Sequence, residues 1–226
     1  MVNKLAASGR RVALRDALEA SAARIIGERG YQALRAREVA ADVGCALGAI
    51  YGVFPDLDAL ILAVKQRTLD ALDAEITRRL AAADASAAQS GASRQEQAER
   101  SLHSLARLYL AFASENPRLW RTVFEHRVPD SKVPDAYLAR LDRVLTYVEH
   151  PLATLAPTMP RRERALFARA LFSAVHGIVA LGLDGKLGAL SAQSLQWQVG
   201  ALVHAAVLGL AAEPERPLIP APPSPS

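Results

Sequence analysis

The sequence has little of what catalytic and metal-binding proteins usually display. Its 226 residues include one cysteine, Cys45, which excludes an internal disulfide, and five histidines without the spacing of a zinc site. It has no paired carboxylates in a predicted cleft, no nucleophile with a histidine nearby and no glycine-rich phosphate loop. We therefore expect a protein that is not an enzyme and that needs no metal or cofactor.

Long apolar runs and strand patterns are also missing. Aromatic residues make up only 5% of the chain, and alanine, leucine and arginine are abundant, which favours helix throughout. No run of about 18 uninterrupted apolar residues occurs, and the first residues lack the apolar core of a signal peptide. We expect an all-α cytoplasmic protein without a membrane span, whose net charge of +4 permits a polyanionic partner without requiring one.

Three short helices are predicted near the amino terminus. Apolar residues recur at helical spacing over residues 11–29, and two shorter helical patterns follow over 35–43 and 46–53. Gly44 allows a left-handed turn between the two short helices, and Gly48 would let the last one pack closely against its neighbour. Two short helices around such a turn form a helix-turn-helix.

A larger helical region is predicted beyond residue 55. Asp56 or Asp58 can cap a long helix, which the Ala/Ser/Gly-rich residues 81–92 would end in a loop. Ser93 and Glu96 have the spacing of a capping box, and residues 151–160, which begin and end with proline, predict another break. Two final helices are expected over about residues 161–183 and 194–212.

These patterns predict an all-α chain with a three-helix helix-turn-helix domain joined by a long helix to a second helical domain. The predicted segments are a flexible basic arm over residues 1–10, the helix-turn-helix domain over 11–55, the second domain over 56–213 and a disordered Pro-rich tail over 214–226.

A spaced set of residues in the first third resembles the signature of the tetracycline-repressor (TetR) family of bacterial transcription regulators. The set comprises Gly30-Tyr31, Arg37-Glu38-Val39-Ala40, Val43-Gly44, Gly48, Ile50-Tyr51, Phe54 and Leu60. A second set is similar to the subgroup of that family named for a Trp-His-Gly motif in its ligand domain. It comprises Phe112 to Trp120, Phe124 and Val175-His176-Gly177, with Val175 where tryptophan is usual.

The resemblance implies a homodimer that binds a double-stranded DNA operator. Each subunit's third helix would enter the major groove of one half-site, and the last two helices would form a four-helix dimer interface. A cavity in the carboxy-terminal domain would bind a small, hydrophobic effector, which would release the operator. The resemblance therefore implies a ligand-responsive repressor.

The expected DNA-reading segment departs from the family pattern. Members usually carry hydroxyl, lysine and histidine or tyrosine side chains where this chain has Arg35, Cys45-Ala46-Leu47, Ala49, Gly52, Val53 and Leu57. Few donors therefore remain for base edges, although methyl groups can contact thymine and cations can contact phosphates. The predicted DNA-binding residues are Arg35, Arg37, Ala46, Leu47, Ala49 and Tyr51.

Candidates for the effector cavity are the few large side chains in an alanine-rich background. His176 is the polar member of the set, and pockets use few polar groups to orient a ligand. The predicted ligand-binding residues are Tyr109, Phe112, Trp120, Phe124, Tyr147, Phe172 and His176. The same residues could instead be plain core.

Broad apolar stripes on the last two predicted helices indicate a dimer interface. Together they hold more apolar surface than one subunit of this size easily hides, and small residues allow close helix approach. The predicted interface residues are Phe167, Leu171, Ala174, Ile178, Trp197, Val203 and Val207.

Two functions therefore stay open. The first is the ligand-responsive regulator described above. The alternative is a module of the same fold that binds a ligand or a protein and has weak or lost specific DNA recognition, as the altered third helix suggests.

Overall fold

The computed structural model describes residues 2–129, 133–186, 188 and 190–212 of the chain. Within that part it forms nine α-helices, one short 3-10 helix and no strand, which confirms the predicted all-α class. The predicted tail, 214–226, lies outside the described residues.

The helices follow one another with short connections. Their bounds are α1 (Val2–Arg29), α2 (Ala36–Val43), α3 (Leu47–Tyr51), α4 (Leu57–Ser90), α5 (Arg94–Glu115), α6 (Pro117–Glu125), α7 (Asp135–Leu155), α8 (Arg161–Leu183) and α9 (Ala192–Ala212), with the 3-10 helix at Tyr31–Ala33. Helix α1 thus includes residues for which the sequence predicts a basic arm.

Two predicted helix starts are confirmed by their caps. Asp56 is the residue that caps α4, because its Oδ1 accepts a hydrogen bond from the backbone N–H of Ala59 at 2.8 Å. At α5, the backbone N–H of Ser93 donates to Glu96 Oε2 at 2.9 Å, and the backbone N–H of Glu96 donates to Ser93 Oγ at 3.2 Å. This reciprocal pair is the predicted capping box.

Two predicted breaks are wrong. The segment 81–92 is not a loop, because α4 continues to Ser90, and its many alanines are strong helix formers. Helix α7 continues past Pro151 to Leu155, although proline removes one helical hydrogen bond. Within the predicted break, the chain is irregular only from residue 156 to 160. Pro160, the proline at the end of that break, directly precedes α8.

The helices divide into two compact units. The first unit contains Met1–Ala71 and Asn116–Leu138, and the second contains Leu72–Glu115 and Ala139–Ser226. This division falls inside α4 rather than at its start, and it places α6 in the first unit, whereas the sequence predicted a boundary at residues 55 and 56.

The first unit has a tightly packed apolar core. Leu18, Ile25 and Ile26 of α1 are fully buried, and α2 and α3 each contribute a buried residue, Val39 and Ile50. The other fully buried large side chains of this core are Leu34, Phe54, Leu60 and Val64. This core holds the helix-turn-helix in place.

The second unit packs α5 and α8 against α9. Gly182 of α8 lies so close to Leu195 of α9 that a Cβ atom built on the glycine would be 2.1 Å from Leu195 Cδ2. Glycine at this position therefore permits the close approach of the two helices.

Candidate DNA interface and ligand cavity

The turn between α2 and α3 has the predicted left-handed geometry. Gly44 adopts φ 73° and ψ 33°, and its backbone N–H donates to the Ala41 carbonyl oxygen at 3.3 Å. The N–H of Cys45 donates to the Ala40 carbonyl oxygen at 2.9 Å. A glycine with positive φ closes α2 in this way and turns the chain into α3.

The structure brings most of the predicted DNA-binding residues onto one exposed surface. Arg35, Arg37, Leu47 and Tyr51 line a single depression formed by α2 and α3. Ala46 is exposed, and Ala49 is half-buried. Tyr51 is 52% exposed and Leu47 37%, so α3 presents these side chains outward while it buries Ile50 in the core.

The charges around this depression are partly paired within the protein. Arg35 Nη1 donates to the carbonyl oxygens of Gln32 at 2.7 Å and Leu34 at 2.9 Å. Glu38, the acidic residue in the lining, forms an ion pair with Arg29. That pair offsets the negative charge that would otherwise repel a phosphate.

A further arginine, absent from the predicted set, donates a hydrogen bond to the residue that follows α3. Arg11 Nη2 of α1 donates to the carbonyl oxygen of Gly52 at 3.1 Å, just after α3 ends. The sequence alone cannot show that Arg11 reaches the end of α3, because 41 residues separate Arg11 from Gly52.

The prediction that Gly48 allows close helix packing is wrong. Gly48 is exposed, and a Cβ atom built there would meet nothing within 4 Å. The space beside Gly48 therefore belongs to the outer surface of α3.

The second unit contains an apolar cavity of about 50 Å³. Helices α4, α5, α7, α8 and α9 all contribute to its wall. Its lining residues are Ile76, Leu102, Leu105, Ala106, Tyr109, Val144, Tyr147, Val148, Leu171, Phe172, Val175 and Val203. The volume has room for a few water molecules, so a larger ligand must displace side chains.

Three of the seven predicted ligand residues line this cavity, namely Tyr109, Tyr147 and Phe172. His176 is adjacent, because its Nδ1 lies 2.7 Å from the Tyr109 hydroxyl, and burial lowers the pKa of His176. Phe112 is half-buried on α5 and is not part of the lining.

The remaining two predicted residues, Trp120 and Phe124, are elsewhere. Both lie on α6 in the first unit, with their ring centroids 5.7 Å apart. Sequence reasoning instead missed the aliphatic majority of the lining, because leucine and valine at helical spacing do not distinguish a cavity wall from a filled core.

A polar network holds the Tyr147 side chain at the cavity wall. The Tyr147 hydroxyl donates to Asp73 Oδ1 at 2.8 Å and lies 3.0 Å from Thr77 Oγ1. Arg143 Nε donates to the same Asp73 oxygen at 2.8 Å. These hydrogen bonds orient the Tyr147 ring at the cavity wall.

The predicted interface residues divide into two groups. Leu171 and Val203 line the cavity, and Val207 is buried, so these three pack within the subunit. Phe167 and Ile178 are half-buried, whereas Ala174 and Trp197 are exposed.

Exposed apolar residues recur at helical spacing on α8 and on α9. We call them together the apolar outer face, which comprises Leu166, Ala170, Ala174 and Leu181 of α8 and Trp197, Ala201 and Leu208 of α9. Trp197 is 73% exposed. Exposed apolar surface of this extent usually marks an interaction site.

Helix α8 is also long and apolar enough, by length and composition alone, to cross a membrane. The most apolar 18-residue stretch of this helix has a mean hydropathy of 1.8, and 22% of that stretch is buried. The bent pair formed by residues 47–53 and 57–83 would be a second such span if it were counted as one segment. The sequence predicts no span because charged residues such as Arg169 interrupt the apolar residues of this helix.

Two protein-family models match the chain. The model described as "Bacterial regulatory proteins, tetR family" matches residues 18–64, and the model described as "Tetracyclin repressor-like, C-terminal domain" matches residues 102–206. A search of curated proteins gives no match.

Several solved structures share the fold. A TetR-family transcriptional regulator from Streptomyces coelicolor is 20% identical with a TM-score of 0.60, covering 88% of this chain and 82% of its own. The fatty acid degradation regulator FadR from Bacillus halodurans is 15% identical with a TM-score of 0.59, covering 86% and 94%. A protein with unknown function from Rhodococcus sp. RHA1 is 20% identical with a TM-score of 0.62, covering 87% and 93%.

Proposed function

Because the chain belongs to the tetracycline-repressor family of DNA-binding transcription regulators, which are not enzymes, we propose that it is a homodimeric cytoplasmic repressor released from its operator by a small hydrophobic effector. The observation that carries the proposal is the apolar cavity of the second unit, lined by aliphatic and aromatic side chains. An unfilled apolar cavity favours an apolar ligand, because polar groups would lose their hydrogen bonds to water there.

The effector is tested by thermal shift on the full chain with a set of apolar small molecules. Since one protein of similar fold regulates fatty acid degradation, fatty acids are the first compounds to screen. A ligand that binds only the folded state raises the melting temperature by mass action. Val175→Phe, which adds a ring at the cavity wall, should abolish the shift, and Leu138→Phe, at an exposed residue of α7, should keep it. Equal shifts in both variants would place the ligand elsewhere.

DNA binding is expected to depend on phosphates more than on base edges. The exposed side chains of α3 offer mainly methyl groups, whereas Tyr51, Arg35 and Arg37 can contact the backbone. Each missing bidentate base contact forgoes about 1–3 kcal/mol of discrimination. Affinity should therefore fall steeply with salt, because counterion release dominates.

A salt titration by fluorescence anisotropy on the gene's own upstream DNA and on a scrambled duplex tests this mode. Tyr51→Phe and Arg37→Ala should weaken binding to both duplexes by similar factors. The arginine change should also lower the slope of log affinity against log salt concentration by about 1. Arg100→Ala, an equal loss of charge on the exposed surface of α5, is the control. Sharp discrimination that Leu47→Ala abolishes would show base readout by α3 instead.

The second candidate function is a module without specific DNA recognition. It is favoured by the absence of side-chain caps at the amino-terminal ends of α2 and α3. Neither Arg35 before α2 nor Ala46 before α3 makes a side-chain capping hydrogen bond. In the salt titration, absence of binding to either duplex at about 50 mM salt would select this candidate.

Dimerisation is proposed to bury the apolar outer face. Gly177 of α8 supports this arrangement, because a Cβ atom there would meet nothing within 4 Å in the subunit, which leaves room for a partner helix. Ala174→Arg should give monomers in light scattering, since it inserts a charge into the contact. Ala139→Arg, on an exposed part of α7, should leave the dimer intact. A dimer that survives Ala174→Arg would move the interface away from α8.

A further inference from the structure

A carboxylate and two imidazoles meet on the surface of the second unit. Glu99 and His103 lie one turn apart on α5, and His204 lies on α9. One ligand atom from each of the three side chains lies within 4.8 Å of the others. The proposed function gives Glu99 and His103 no role, whereas His204 lies between Ala201 and Leu208 on the side of α9 that the proposed dimer would bury.

We propose that Glu99, His103 and His204 form a binding site for a divalent transition-metal ion, with Zn²⁺ the ion that fits best. Two imidazole nitrogens and one carboxylate oxygen are a ligand set that zinc accepts, with a water molecule completing a tetrahedron. Imidazole nitrogen also disfavours Mg²⁺ and Ca²⁺, which select oxygen ligands.

The geometry needs a small adjustment only. Bonds of about 2.0–2.1 Å in a tetrahedron place the ligand atoms about 3.3–3.4 Å apart. His204 Nδ1 and Glu99 Oε1 are already 3.6 Å apart. His204 is 56% exposed, and Glu99 and His103 are half-buried, so changes in rotamer can close the rest of the gap.

His204 and Glu99 form only a long ion pair in the absence of a metal ion. The 3.6 Å separation between His204 and Glu99 exceeds the length of a charge-assisted hydrogen bond, which is about 2.7–2.9 Å. The ring centroids of His103 and His204 are 6.3 Å apart with the planes tilted by 37°, so the rings do not stack closely. A cation between them would use both nitrogens and the carboxylate.

The position of the site links it to the cavity. His103 follows Leu102 on α5, and His204 follows Val203 on α9, and both of these apolar neighbours line the cavity. An ion held by all three ligands would join α5 to α9 at the level of the cavity. Metal binding should therefore change the thermal shift that a cavity ligand produces.

Cobalt titration of the untagged full chain tests the site. Co²⁺ in place of Zn²⁺ gives visible absorption in a tetrahedral site, and we expect saturation at one ion per chain and displacement by Zn²⁺. His103→Ala, His204→Ala and Glu99→Gln should each lower the affinity by at least about tenfold, the loss that removal of even an outer-shell partner often causes. His150→Ala, at an exposed histidine of α7, is the control and should bind as the wild type does.

Three results would overturn the proposal. They are cobalt binding that does not saturate, wild-type affinity in any of the three ligand variants, and an equal loss of affinity in His150→Ala. His204→Ala is the most informative change, because His204 is exposed in the subunit, and circular dichroism checks that its loss leaves the fold intact. Light scattering must show that the oligomeric state is also unchanged, because His204 lies between Ala201 and Leu208 on the proposed dimer face.

Discussion

The two units differ in the polarity of their buried interiors. In the described residues, the buried polar and charged side chains all belong to the first unit, and they are Ser21, Lys65, Thr68, Thr122 and His126. The second unit has an apolar cavity, whereas charged residues such as Arg15, Asp56 and Asp58 help to line the pocket of the first unit. Lys65, Thr68, Thr122 and His126 make side-chain hydrogen bonds. Buried polar groups with directed bonds suit a unit that must present a fixed surface, whereas an unfilled apolar core suits one that must admit a ligand.

Lys65 illustrates the rigid character of the first unit. Its Nζ donates to the carbonyl oxygen of His126 at 2.9 Å and lies 4.9 Å from the centroid of the Tyr137 ring. Burial lowers the pKa of Lys65, because the charged amine loses favourable interactions with water. The directed contacts of this buried cation orient α4 against the segment that follows α6.

The largest effect is expected from replacing a buried leucine by alanine in each unit. Leu18→Ala in the first core should cost close to the upper end of the 2–5 kcal/mol range for such changes, because the filled surroundings cannot collapse. Leu105→Ala should cost closer to the lower end, since Leu105 already faces the cavity and lacks some packing contacts. Urea unfolding followed by circular dichroism measures both, and equal losses would break the comparison.

A glycine substitution tests whether the second unit is loose everywhere. Gly182→Ala should lower the free energy of unfolding by about 1–3 kcal/mol, because the new methyl group would overlap Leu195. Gly200→Ala in α9 is the control, since a Cβ atom there meets nothing within 4 Å, and it should instead stabilise the helix by about 0.5–1 kcal/mol. Thermal unfolding that ranks the two variants in the opposite order would contradict the close approach of α8 and α9.

The smallest expected effect is a gain in stability from filling the cavity. Val144→Ile adds one methylene group at the cavity wall and should stabilise the protein by up to about 0.8 kcal/mol. Val39→Ile in the filled first core should destabilise it, because that core has no room for the added group. If both changes are destabilising in thermal unfolding, the cavity is too small to accept even one methylene group.

Local features of the fold were the most predictable. The bounds of α8 match the prediction, and the capping box of Ser93 and Glu96 forms as expected, because helix starts and ends depend on neighbouring residues. The alanine-rich end of α4 was not predicted, because serine and glycine in this segment favour a loop, whereas its alanines favour the helix that forms.

Residues of the candidate sites were less predictable, because an apolar residue does not reveal its partner. Leu171 and Val203 belong to the stripes predicted for the dimer, yet they line the cavity of their own subunit. Trp120 is close in sequence to Phe112 but lies in the other unit. His204 is far in sequence from Glu99 and His103, so only the packing of α9 against α5 brings the three together.

Two glycines of the helix-turn-helix should behave differently in a mutational scan that scores abundance and operator binding separately. Gly44 has a positive φ that other residues rarely adopt, so its substitution should lower both scores. Gly48 faces open space, and larger residues there should leave abundance unchanged or raised. A substitution at Gly48 that keeps abundance and loses binding would therefore mark how closely the docked partner approaches α3.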